Sequence, residues 1–224
     1  MSRELAERLG ERHDHATLLE ARRRAIAAVQ DLARQVSPGM TEEHGLAVAR
    51  HALRAQGFTD DWVAPYLRFG ANTLKKYAEL SEPGVALRED DVWYVDVGPL
   101  WNNHECDYAE SFAVGSDPER RRLVRDVREV FERTARRWRE SRPSGAELYR
   151  FAAAEAASLG WQLEPEMAGH RLSEYPHSAL HDGSLAKADF TPSSGLWMLE
   201  IQLRHPDVPY SAFFEDLLLD NPAE

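Results

Sequence analysis

Cysteine is nearly missing from this chain. Cys106 is the single one, so no disulfide can form within it, which suits a reducing compartment. Long apolar runs are missing too, and none approaches the ~20 residues that span a bilayer. Positive charge is in deficit: 27 Lys and Arg stand against 38 Asp and Glu, a net charge of −11 over 224 residues. That balance argues against nucleic acid and anionic membranes as main partners. The Arg-rich stretches, Arg22 to Arg24 and Arg120 to Arg122, are interleaved with acids on helical patterns and read as solvated helix faces. The opening Met-Ser-Arg-Glu-Leu-Ala-Glu lacks the apolar core of a signal peptide, so a cytoplasmic location is expected.

Periodicity organises what is present. Residues 1–14 read as an N-terminal extension. Leu18, Leu19, Ile26, Val29, Leu32 and Ala33 fall near a 3.6-residue spacing, which predicts a helix over 15–36. A second helix is expected from Thr41, as N-cap, to Gln56, with Gly57 ending it. Strand-like segments follow over 63–115. A long charged helix is expected after Asp117, and another over 146–158, with strands onward to the C-terminus. The order repeats itself. Ser37-Pro-Gly, helix, Gly57-Phe58, strands is matched by Arg142-Pro-Ser-Gly, helix, Gly160-Trp161, strands, at a period of roughly a hundred residues. Segregated helices and strands imply an α+β class, with both halves joining one curved sheet covered by helices on its outer face. Two independent small domains would give the same order, but the candidate ligands come from both halves.

Acids interrupt the apolar strands. Asp96 lies in Val-Trp-Tyr-Val-Asp-Val-Gly, Glu200 in Leu-Trp-Met-Leu-Glu-Ile, and Glu215 in Ala-Phe-Phe-Glu-Asp-Leu, and no run carries its own Lys or Arg. An unpaired buried carboxylate costs several kcal/mol, and a bound cation resolves the conflict. Asp107 sits across a turn from Asp96, and alternation puts Glu105, Asp107 and Ala109 on one face with Cys106 and Tyr108 on the other. His170 offers an imidazole. Four carboxylates and one imidazole, without thiolate, suit Mn, Fe, Co or Zn, and so many oxygen donors can hold two divalent ions per chain.

These pieces carry a resemblance. Pro38-Gly-Met-Thr-Glu42, Val95-Asp-Val-Gly98, Asp107-Tyr-Ala-Glu-Ser-Phe112, Gly169-His170, His177, Leu199-Glu200 and Glu215-Asp216 resemble, in order, the pita-bread metallopeptidase family of methionine aminopeptidase, Xaa-Pro aminopeptidase, prolidase and creatinase. The resemblance implies one pita-bread catalytic domain over 15–224. It implies Asp96 on one metal, Asp107 and Glu215 bridging, and His170 and Glu200 on the other. Glu200 would also handle the proton of the attacking water, and His177 would contact substrate near the scissile bond.

Three departures border the substrate pocket. Tyr77 stands where relatives carry a histidine, Arg171 and Ser173 replace glycines after the ligand histidine, and Ile201 replaces a proline. Tyr77, Lys76 and Arg171 either bind an anionic or non-peptide substrate or are surface side chains. The expected function is a metal-dependent hydrolase attacking an amide or peptide bond of a small-molecule or short-peptide substrate. The alternatives are the same centre on a small non-peptide substrate, by hydrolysis or iron-dependent redox chemistry, and a silent binding module. A homodimer is compatible with the family.

Overall fold

Cap residues start the helices where the sequence places them. In the computed structural model, which describes residues 3–179 and 183–222, a four-residue helix α1 (Arg3–Ala6) precedes the first long one. Helix α2 (His15–Ala33) begins at Asp14, whose carboxylate accepts from the amides of Ala16 and Thr17. Helix α3 (Glu42–Ala55) begins at Thr41, whose hydroxyl accepts from His44 N–H. Helix α4 (Pro118–Ser141) is capped by Asp117, and α5 (Gly145–Ser158) opens with a capping box between Ser144 and Glu147. No described helix is long and apolar enough to cross a membrane.

The strands are β1 (Asp60–Phe69), β2 (Asp91–Trp101), β3 (His104–Glu105), β4 (Tyr108–Val114), β5 (Gln162–Leu163), β6 (Met198–Arg204) and β7 (Ser211–Leu217). They form one antiparallel sheet in the order β1-β2-β4-β7-β6-β5, with β3 paired to β2. The halves of the repeat therefore meet where β4 pairs β7, at Ala109 and Glu215.

Strand alternation sorts the sheet into two faces. Trp93, Val95 and Val97 of β2, Tyr108 of β4, Leu199, Ile201 and Leu203 of β6, and Ala212 and Phe214 of β7 join the main core, together with residues of α2 to α5. Cys106 lies in that core as well, away from the acids as parity requires. The opposite face carries Tyr94, Ala109 and Phe213, with Met167 packed on them.

Two sequence expectations need correction. Residues 164–197 are largely irregular, with short 3-10 turns at His177–Ala179 and Leu185–Lys187. Pro165, Pro176 and Pro192 each lack the amide a central ladder needs. Arg22 is not a solvated side chain: its guanidinium makes two 2.6 Å hydrogen bonds to the Asp216 carboxylate under α2. Residues 3–14 pack onto the second half. Glu7 accepts from Ser193 N–H and Trp197 Nε1–H, and Arg8 O accepts from Arg171.

Candidate metal centre

Sheet register lines up three carboxylates. Asp96 faces Ala109, Ala109 faces Glu215, and Glu215 faces Glu200, a single row across β2, β4, β7 and β6. Asp107 precedes Ala109 by two positions and presents its carboxylate to the same side. Its Oδ2 lies 3.1 Å from His170 Nε2, and Glu200 Oε1 is 3.9 Å from that nitrogen. Asp107, His170 and Glu215 each offer a ligand atom within 4.8 Å of the others. All five residues expected as ligands thus converge on one cavity of about 510 Å³.

The loop bearing His170 is pinned by close packing. Gly169 passes so near β6 that a Cβ there would sit 1.9 Å from Met198 O. The Tyr149 hydroxyl of α5 accepts from the amides of Gly169 and Glu200 and donates to Glu200 O, tying both ligand-bearing segments to one side chain. Tyr149→Phe leaves these buried groups unpaired. It should cost about 1–3 kcal/mol of stability in denaturant unfolding and weaken metal binding in titration calorimetry.

Acids on the two faces live under opposite conditions. On the helix side, Glu110 pairs with Arg128 at 2.9 Å and accepts from Gln30, and Asp216 pairs with Arg22. On the cavity side, among the described residues, His170 is the one partner of opposite charge that the cluster meets. Burial, then repulsion from Asp107 and Glu200, pushes Asp96 far above the usual carboxylate range. Glu215 is pushed up by burial and by Asp107, Glu200 and Asp96. Glu200 is raised to about 7, chiefly by burial. Burial pulls the His170 imidazolium down, but its hydrogen bond to Asp107 and the nearby negative charge outweigh that and raise it to about 9.

The residues fit divalent cations. Asp107 Oδ1 and Glu215 Oε1 are buried without a hydrogen-bond partner, although buried acceptors are normally satisfied. His170 Nδ1 lies 2.7 Å from Arg171 O, which keeps a proton there, so Nε2, facing Asp107, is the nitrogen that would give its lone pair to a cation in place of its proton.

His177 lines the same cavity, its ring stacked 5.1 Å from that of His170 and edge-on to Trp62. Tyr77 stands at the cavity mouth, 62 % exposed and edge-on to Tyr66. Arg171 does not reach the cavity, contrary to expectation. It is fully buried and donates to Arg8 O beneath the N-terminal segment, because its side chain alternates away from that of His170. Lys76 is held by Glu166 at 2.8 Å, so its charge is already matched. Sequence reasoning missed Tyr149 and the role of Glu105, which bonds His177. For Glu105, the shared parity with Asp107 was the available signal.

A two-half helix-and-sheet fold around buried, cation-deficient carboxylates defines a metal-dependent hydrolase of the pita-bread type. A family model for metallopeptidase family M24 matches residues 16–215, and the chain belongs to that family. Among solved structures, it resembles a methionine aminopeptidase from Thermotoga maritima at 16 % identity and a TM-score of 0.77, covering 96 % of each chain. A prolidase from Pyrococcus furiosus matches at 17 % identity and a TM-score of 0.76, over 96 % of this chain and 62 % of that one. An X-Pro aminopeptidase from Thermotoga maritima gives 17 %, 0.75, 93 % and 61 % respectively. The chain therefore spans about three fifths of the latter two proteins. A comparison with curated protein sequences finds no significant match.

Proposed function

We propose that this chain holds two divalent ions, Mn, Fe, Co or Zn, and hydrolyses an amide bond in a small or short-peptide substrate that has no carboxylate beside the scissile bond. The row of uncompensated carboxylates with His170 carries this reading. Asp96 would hold one ion, His170 and Glu200 the other, with Asp107 and Glu215 between them. When bound, such ions supply Lewis acidity toward a carbonyl and a water of lowered pKa. Glu200, beside the ions, would also take the proton of the attacking water. His177, on the cavity wall, orients the substrate.

The walls support the substrate class. Asp96, Glu105, Asp107, Glu166, Glu200 and Glu215 line the cavity, and no Lys or Arg does so among the described residues. Trp62, Val63, Met167 and Pro176 add apolar surface for an uncharged side chain. A substrate carboxylate would find no Lys or Arg among the described lining residues to pair with, whereas an amine or a neutral amide is accommodated. The volume lies within the usual range for small-molecule sites.

The test uses protein purified without chelator and supplied with each of the four metals. Ala-Ala-amide should be cleaved with at least roughly tenfold higher kcat/KM than Ala-Ala, about 1.4 kcal/mol of discrimination. Preference for the free acid would overturn the substrate class. Metal content near zero in every preparation would overturn the centre itself.

A further inference from the structure

Glu105 carries a buried carboxylate with a single assignment: both oxygens hold His177. Oε1 accepts from the backbone N–H of His177 at 2.9 Å, and Oε2 lies 2.6 Å from its Nδ1. Glu105 is only 1 % exposed, and β3 and the neighbouring chain fix it, since Glu105 N–H donates to Ser173 O and β3 pairs with β2. A carboxylate can only accept, so the Nδ1 position must carry the hydrogen. The other ring nitrogen, Nε2, is the one left to the cavity that both residues line.

We propose that Glu105 is a positioning residue that locks the Nδ1–H of His177 against its own carboxylate, so that Nε2 is the ring nitrogen presented to the cavity. The family resemblance implies only that this histidine contacts substrate near the scissile bond, and the geometry assigns which ring nitrogen does so. With Nδ1 holding the hydrogen, the neutral ring has its lone pair at Nε2, where it can accept from a substrate amine, an amide N–H or the attacking water. The substrate part of this inference rests on the proposed amide hydrolysis, whereas the tautomer does not. Trp62 supports the arrangement by packing edge-on to both His170 and His177 while its Nε1–H donates to Cys106 O, which holds the indole in place.

The decisive readout is the 15N spectrum of histidine-labelled, full-length protein, with His177→Gln identifying its signals. Wild type, recorded at a pH where the ring is neutral, should show its proton at Nδ1. Glu105→Gln has one carbonyl for two N–H donors, and its amide NH2 facing the ring demands a lone pair at Nδ1. The proton should then move to Nε2, with kcat on Ala-Ala-amide falling at least tenfold and KM changing less than threefold. Glu105→Asp, which keeps two acceptors, should retain the wild-type tautomer and recover part of kcat. A neutral wild-type ring protonated at Nε2 instead would overturn the lock without any variant. An unaltered kcat in a Glu105→Gln protein whose tautomer has moved would overturn its importance for turnover. Failure to cleave Ala-Ala-amide at all would instead count against the amide reading and leave the tautomer result standing.

Discussion

Glu215→Gln is expected to lose roughly a thousandfold in metal-dependent turnover and yet to melt higher than wild type when both are stripped of metal. The first effect follows from the centre losing the carboxylate that would lie between two ions, and several kcal/mol of charge stabilisation corresponds to that factor. The second follows from electrostatics. Glu215 is buried, its Oε1 has no partner, and burial together with Asp107, Glu200 and Asp96 opposes its ionisation. Replacing this ionisable group by an uncharged amide of nearly the same volume relieves the metal-free protein. The neighbouring residue supplies the contrast. Asp216→Asn lies on the other face, against Arg22 at 2.6 Å, so it should keep its metal and melt lower, by about 3 kcal/mol if the pair behaves as buried. Metal analysis and melting curves of the two variants decide the matter. Equal metal loss in both would mean that strand parity does not separate the centre from the core.

That parity is also why so much was legible in the sequence. An acid in an apolar strand is conspicuous because alternation leaves it either in the core or facing its opposite. Asp96, Glu200 and Glu215 have side chains on one face, and the register that aligns them follows from hairpin pairing of each half. The helices were legible because Asp14, Thr41, Asp117 and Ser144 cap them with local hydrogen bonds. What was hidden depends on long-range packing. Arg171 sits next to His170 in sequence, yet its environment is set by Arg8, more than 160 residues earlier. Tyr149 reads as one more apolar position on α5, and only the approach of Gly169 and Glu200 makes its hydroxyl a tie between ligand segments. The departures also changed meaning once placed. Lys76 and Arg171 do not make the cavity basic, because one is matched by Glu166 and the other is buried elsewhere, so the wall stays acidic.

Withdrawing metal should make stability fall as pH rises, the reverse of ordinary acid denaturation. For Glu200, the folded group is raised from 4.5 to about 7, so the folded state binds the extra proton between those values. Its contribution is fully present below pH 4.5 and is lost as pH climbs through 7. For His170 the folded value rises from 6.5 to about 9, so its contribution is present below 6.5 and lost on the way to 9. Asp96 and Glu215 act in the same direction as Glu200. Deprotonated, the cluster is four carboxylates around a neutral imidazole, and in the chelated protein no Lys or Arg among the described lining residues offsets their repulsion. Divalent ions take the place of those protons, and binding them releases protons, so the stabilisation by excess Mn should grow from pH 5 to pH 9. Melting curves at pH 5, 7 and 9, with chelator and with Mn, measure that gap directly. It should be smallest at pH 5 and largest at pH 9, and Glu215→Gln should narrow it most at the alkaline end. A gap that stays constant or shrinks with pH would mean that the carboxylate row is neutralised by something other than a cation.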